Sequence, residues 1–328
     1  MLSLFRTNQL LFSLLLVFYV AVLHVAAFLV PYEWEPMGYG YLSKIVYEAV
    51  GHQGTIPAII CILLLFVHAT VINVIMANNR VDDTVTLFPG VFYILIASAL
   101  PRFLDLTPIH MANTFYVFAI SELFKVYKKP AAADNIFNVG FWIGVASLFY
   151  FSYIIFILLA FVGLGILRAF NLQERIMVLI GALVPYILTG VYLFWNDQWE
   201  AFVQYQFIDS ISFLDFRIES NVESVLKIIF VDIFLVVAIF SYTLYIFKKN
   251  IQVQKKISVL YWSLLFSAVT ILFQAGVQLD HLLILAVPLG MMISINFTHL
   301  SSRWAEVLHL IIILIILIFQ YQQYLLPD

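Results

Sequence analysis

The 328-residue chain is 64% apolar, 17% aromatic and 11% charged, with 16 Lys and Arg against 19 Asp and Glu and a formal net charge of −3. Soluble domains carry about 25% charged and roughly 45–50% apolar residues, so a mean hydropathy of +1.02 leaves too little polar surface to cover a water-soluble fold. Soluble enzymes, nucleic-acid-binding modules and secreted disulfide scaffolds are thereby excluded.

In chain order, the sequence predicts an all-α, polytopic transmembrane bundle that is one membrane domain over 1–328. A bilayer core of about 30 Å takes roughly 20 apolar residues in helical form. Runs of that kind occupy 9–30, 56–77, 84–100, 108–126, 176–195, 225–247, 257–274, 281–296 and 305–323. The first follows Arg6 and is too long for a signal-peptide core, so it reads as a retained signal anchor. The single cysteine, Cys61, lies inside an apolar run and offers no disulfide framework or Cys-based metal site.

Residues 137–168 form one apolar run, about 48 Å long as a single helix and too long for one upright crossing. The positive-inside rule decides its form. Split into two short helices, with the N-terminus inside, the run leaves only Lys44, Arg102, Arg217 and Lys227 outside, and the other twelve of the 16 basic residues fall on the inner face. Counted as one crossing, the balance is seven inside against nine outside. The split predicts about eleven spans. It places Phe149, Tyr150, Phe151 and Tyr153 at an outer turn and makes a close-packing element of Gly140-xxx-Gly144.

Two long outer loops then result, 31–55 and 196–224. The first reads PYEWEPMGYGYLSKIVYEAVGHQGT and predicts an interfacial helix over about 40–50. Short outer connections hold Arg102 and Asp105 just before His110 and Asn113, and Gln278, Asp280 and His281 just before a late span. Glu33, Glu35, Arg102, Asp105, His110, Asp280 and His281 are therefore candidates to line one outward cavity. Paired acids beside a guanidinium at the edge of a low-dielectric region suit proton transfer and phosphate binding. The plainer reading is an interfacial charge network that fixes helix ends.

Within the spans, Glu122 and Lys125 are one turn apart and predict a local ion pair, while Asp232 is expected to face protein or water. Pro89-Gly90, Pro185 and Pro288 are expected to interrupt their spans. No metal or cofactor is implied. HxxxH and HExxH spacings, a phosphate-cradling glycine loop and a dinucleotide fingerprint are all absent.

The layout resembles the GT-C type of integral membrane glycosyltransferase. The resemblance rests on a first span followed by an acidic outer loop, the glycine-bearing stretch FNVGFWIGVASLFYF at 137–151, and a late span opening DHLLILAVPLGMMIS at 280–294. The N-terminal MLSLFRTNQLL is also similar to an uncharacterised family of bacterial integral membrane proteins. The GT-C resemblance implies transfer of a sugar from a polyprenyl-phosphate donor at the outer face of the inner (cytoplasmic) membrane, with membrane lipids as surroundings and no nucleic-acid partner. It casts Glu33 or Glu35 as general base and Arg102, with His281, as the phosphate-holding group. Many GT-C enzymes carry Asp where this chain has Glu33 and Glu35, which leaves an inactive relative open. A non-enzymatic component of an envelope complex and a transporter of a lipid-like solute are the alternatives.

Overall fold

The computed structural model describes residues 2–7, 9–29, 39–210, 222–247, 249–272 and 278–322, and these are helical with loops and no strand. Glu33 and Glu35 lie outside the described residues. Six helices are long and apolar enough to cross a membrane: 11–29, 55–78, 172–195, 251–272, 279–299 and 302–320. Two shorter apolar helices, 88–97 and 151–167, lie among them.

The chain opens with a 3-10 turn at Leu2–Arg6, then α1 (Leu10–Leu23) and α2 (Val25–Leu29). α3 (Tyr41–Val50) lies where a helix was expected, and α4 (Thr55–Asn78) follows. α5 (Phe88–Ala97) is short and buried throughout. α6 (Pro108–Lys125) and α7 (Ala133–Phe149) come next. The 137–168 run breaks at Tyr150, where the backbone turns extended. A 3-10 turn at Phe151–Ile155 then leads into α8 (Phe156–Leu167). α9 (Leu172–Trp195) runs unbroken through Pro185. α10 (Trp199–Val203) and a π-helical turn at Gln204–Ile208 follow within 196–224. α11 (Val222–Phe240), α12 (Tyr242–Ile246), α13 (Ile251–Leu272), a 3-10 stretch at Leu279–Leu285, α14 (Ala286–His299) and α15 (Ser302–Gln320) complete the chain.

Pro288 stands inside the 279–299 helix, where its 3-10 stretch passes into α14. Another expected interruption, Pro89, turns out to be a helix start, in the first turn of α5. A missing N–H costs nothing there, because first-turn amides have no partner within the helix. Buried Asn73 of α4 supplies a further start signal, accepting the Gly90 amide at 2.7 Å. A Cβ on Gly90 would lie 2.7 Å from Ala69 O, and one on Gly290 2.6 Å from Tyr93 Cα. α5 is thus clamped between α4 and α14 at backbone distance.

The second seam joins α7 to α9. A Cβ on Gly140 would fall 2.0 Å from Val178 O, one on Gly144 2.4 Å from Ala182 O, and one on Gly181 2.3 Å from Phe137 O. The GxxxG spacing is therefore a packing motif, as membrane helices require when lipid removes the hydrophobic drive to associate.

The loops sort to two ends of the bundle. At one end Arg6 donates to Leu300 O (3.1 Å), Lys249 pairs with Asp83 (2.6 Å) and Asp82 (3.6 Å), Lys256 donates to Asn79 (2.5 Å), and Arg168 binds the Val126 and Lys129 carbonyls. Glu122 and Lys125 form the expected pair at 2.7 Å. At the other end Gly40 donates to Phe149 O (2.8 Å), Tyr47 to Leu106 O (2.9 Å), and Gln320 to Ser98 O (2.8 Å). The return of Arg168 to the Val126 end shows that 137–168 goes out and back.

Candidate functional site

The non-basic end brings three connections together. The turn between α5 and α6 is a 3-10 helix over Pro101–Leu104. It presents Arg102, whose Nη1 donates to Gln278 Oε1 at 2.6 Å and to Asp280 Oδ1 at 3.3 Å. The Gln278 side chain also accepts the His281 amide, while the Gln278 amide donates to His281 Nδ1 at 2.9 Å. This reciprocal cap at the head of the 279–285 stretch makes Nδ1 an acceptor and leaves the imidazole proton on Nε2. Asp280 and His281 are both buried. The His281 ring lies 5.9 Å from that of Tyr150, the residue at the break between α7 and α8.

Asp105 closes the Arg102 turn and is half-buried; its carbonyl accepts from Cys61 Sγ at 3.6 Å. α3 reaches the same place through Tyr47, whose hydroxyl donates to Leu106 O. Burial holds the Tyr47 phenol well above its ordinary pKa, and the nearby charges of Asp280 and Asp105 add to this. Asp105 and Asp280 therefore act on one phenol. No sequence signal separates Tyr47 from the other 17 of 18 tyrosines, because its place depends on how α3 docks.

That docking is specific. Ser43 donates to Phe149 O at 2.9 Å, and Tyr41 binds Gln206 through its amide (3.0 Å) and Gln198 through its hydroxyl (2.6 Å). Lys44 sits 4.0 Å above the Tyr205 ring. Gly40 has no room for a side chain, since a Cβ would lie 2.2 Å from Leu148 O. The segments 39–50 and 198–206 are thus bolted to each other and to the end of α7. Replacing Tyr47 with Phe should cost about 1 kcal/mol, the size of one hydrogen bond. Thermal unfolding in detergent is expected to show a slightly lowered Tm; an unchanged Tm would remove Tyr47 from this latch.

The structure brings together Arg102, Asp280 and His281, with Asp105 on the turn beside them. His110 is used otherwise: its ring nitrogen Nδ1 lies 2.9 Å from Thr107 Oγ1, and its amide donates to the same oxygen, so the pair caps α6. His110 is buried at the helix start and, among the described residues, makes no hydrogen bond to the Arg102 group. Asp232 stands on the exposed face of α11, away from the Arg102 group. Glu33 and Glu35 cannot be located. The described residues flanking them both lie at this end, α2 packing on the Arg102 turn and Tyr39 on Tyr47 and Tyr205 (ring centres 5.7 and 6.4 Å).

At the opposite end, ligand atoms of Asp82, Asp83 and His299 come within 4.8 Å of one another. The Lys249 ammonium pairs with both carboxylates, so a cation of the chain itself balances this group.

No protein-family pattern matches the chain, and no curated protein matches it in sequence. Among solved structures it is similar to ArnT from Cupriavidus metallidurans, determined with undecaprenyl phosphate bound, at 12% identity and a TM-score of 0.54. The match covers 91% of this chain and 62% of ArnT, so the chain spans less than two thirds of that protein's length. At that identity the likeness speaks for the fold alone. The chain is a multi-pass helical membrane protein with a GT-C-type fold.

Proposed function

We propose that the chain is a GT-C-like membrane glycosyltransferase that takes its sugar from a polyprenyl-phosphate carrier. The carrying observation is the Arg102 guanidinium, oriented by Gln278 and Asp280 beside His281, in a fold matched by a protein holding undecaprenyl phosphate. Arginine suits phosphate oxygens because its planar fork offers several parallel donors.

In this reading Arg102 holds the carrier phosphate and Asp280 keeps the guanidinium aimed. The Nε2–H of His281 is a second donor for phosphate oxygen. Glu33 or Glu35 takes the proton of an acceptor hydroxyl as its oxygen attacks the anomeric carbon. The new glycosidic C–O bond forms as the C–O bond to the carrier phosphate breaks, and the phosphate leaves with the electron pair against Arg102. The lipid tail lies along the apolar helices. The membrane reading that accompanies it has eleven crossings, the basic end and N-terminus inside, and the site at the outer face of the inner membrane.

The test is Glu33→Gln with Glu35→Gln, assayed for glycan or glycolipid products in cells. Product should be lost while protein level and Tm hold. Unchanged product at normal protein level would overturn the assignment of the base.

A further inference from the structure

Helix α11 has two distinct faces. Lys227, Phe230, Val231, Phe234 and Ala238 are buried, with Phe230 against Phe319 of α15 at 5.5 Å. Leu226, Ile229, Ile233, Val236 and Phe240 are exposed. Asp232 stands in the middle of the exposed face. It lies ten residues beyond Val222, about 15 Å along the helix axis. The positions one turn away on either side are Ile228, Ile229, Leu235 and Val236, none of which bonds a carboxylate. The other two charges of α11 satisfy each other, since buried Lys227 pairs with Glu223. Among the described residues Asp232 has no ion pair and no hydrogen bond.

A carboxylate looking into hydrocarbon at that depth is strongly disfavoured, and such residues normally pair within the membrane. Among the described residues no cation stands on this face of α11 to meet it. A two-fold dimer through the face would oppose Asp232 to its own copy, a like-charge contact in a medium that does not screen it. Charge complementarity therefore calls for a foreign cation. We propose that the exposed face of α11 is the docking surface for a transmembrane helix of another protein that carries Lys or Arg at the depth of Asp232. The apolar residues around the carboxylate would pack against that helix while the ion pair sets register and partner choice. This inference rests on α11 lying in the bilayer and is independent of the transferase reading.

The experiment uses the full chain, fluorescently labelled, in phosphatidylcholine vesicles with a labelled leucine–alanine peptide of about 20 residues, long enough to span. The peptide carries one central Lys, Leu or Glu, and association is read by energy transfer. Wild type should bind the Lys peptide roughly tenfold more tightly than the Leu peptide, one ion pair's worth of discrimination. Asp232→Leu should erase the preference, and Asp232→Lys should move it to the Glu peptide. Asp232→Leu removes a charge from an apolar face, so its Tm should hold or rise, which separates lost docking from lost folding. Equal binding of the Lys and Leu peptides, or a preference that survives Asp232→Leu, would overturn the proposal. Single-molecule photobleaching that finds dimers dependent on Asp232 would replace the foreign helix by a second copy. Ready reaction of Asp232→Cys with a membrane-impermeant maleimide would place the face in water and likewise overturn it.

Discussion

Replacing Arg102 with Met is expected to stop sugar transfer and to lower stability by about 3–5 kcal/mol, the usual cost of stripping one partner from a buried ion pair. Asp280 is 7% exposed, so without Arg102 its charge is stranded in a low-dielectric setting. Gln278 loses the same partner, and with it part of the cap that begins the 279–285 stretch. A second variant separates structure from chemistry. Arg102→Met with Asp280→Leu removes both charges and should recover most of the lost Tm, because apolar replacement of a whole buried pair is close to neutral. Transfer should stay absent, since the guanidinium that holds the phosphate is gone and the His281 N–H alone does not replace it. Thermal unfolding and product analysis on both variants decide the matter. If the double variant regains transfer along with stability, the pair merely pins helix ends and the carrier phosphate is held elsewhere.

The second large effect is expected at the α7–α9 seam. Gly140→Val should cost at least about 3 kcal/mol, the upper part of the range for overpacking, and should sharply reduce the yield of folded protein. A Cβ at residue 140 meets three backbone atoms, Val178 O at 2.0 Å, Val178 C at 2.8 Å and Ala182 N at 3.0 Å. Backbone cannot rotate aside, so the two helices must separate along a contact that carries the outer loops. Gly165→Ala on α8 is the control. Its Cβ would meet only the Arg175 side chain, at 3.6 Å, and the change should leave Tm within a degree or two. Equal Tm values for the two variants would show that close approach at Gly140 contributes nothing.

Six of the predicted runs were legible as spans because a bilayer imposes a length on each, while 84–100 holds only the short α5; the break at Tyr150 followed from the distribution of Lys and Arg. Polar residues inside the bundle were harder. His110 read as a lining residue of an outward cavity, yet its amide and ring serve the start of α6, as buried Asn73 serves that of α5 from across a contact. Pro89 looked like an interruption because composition does not tell a helix start from a kink. Asp232 was assigned to a protein or water face on cost alone. In a membrane both faces of a helix are apolar, so the periodicity that marks the buried side of a soluble helix gives no direction. The pairing of Arg102 with Asp280 joins residues 178 positions apart. The sequence placed both at outer helix ends, but only the packing of α5, α6 and α14 brings them together.

The central claim is that Arg102 and its neighbours hold a polyprenyl phosphate. Undecaprenyl phosphate titrated into the purified chain in detergent, with complexes counted by native mass spectrometry, tests it most directly. The account predicts one tightly held lipid per chain, displaced poorly by undecaprenol, which lacks the phosphate. It also predicts at least tenfold weaker binding to the folded Arg102→Met, Asp280→Leu variant, about the worth of one charge-assisted contact. Equal affinity for the phosphate and the alcohol, or equal binding by wild type and variant, would contradict it.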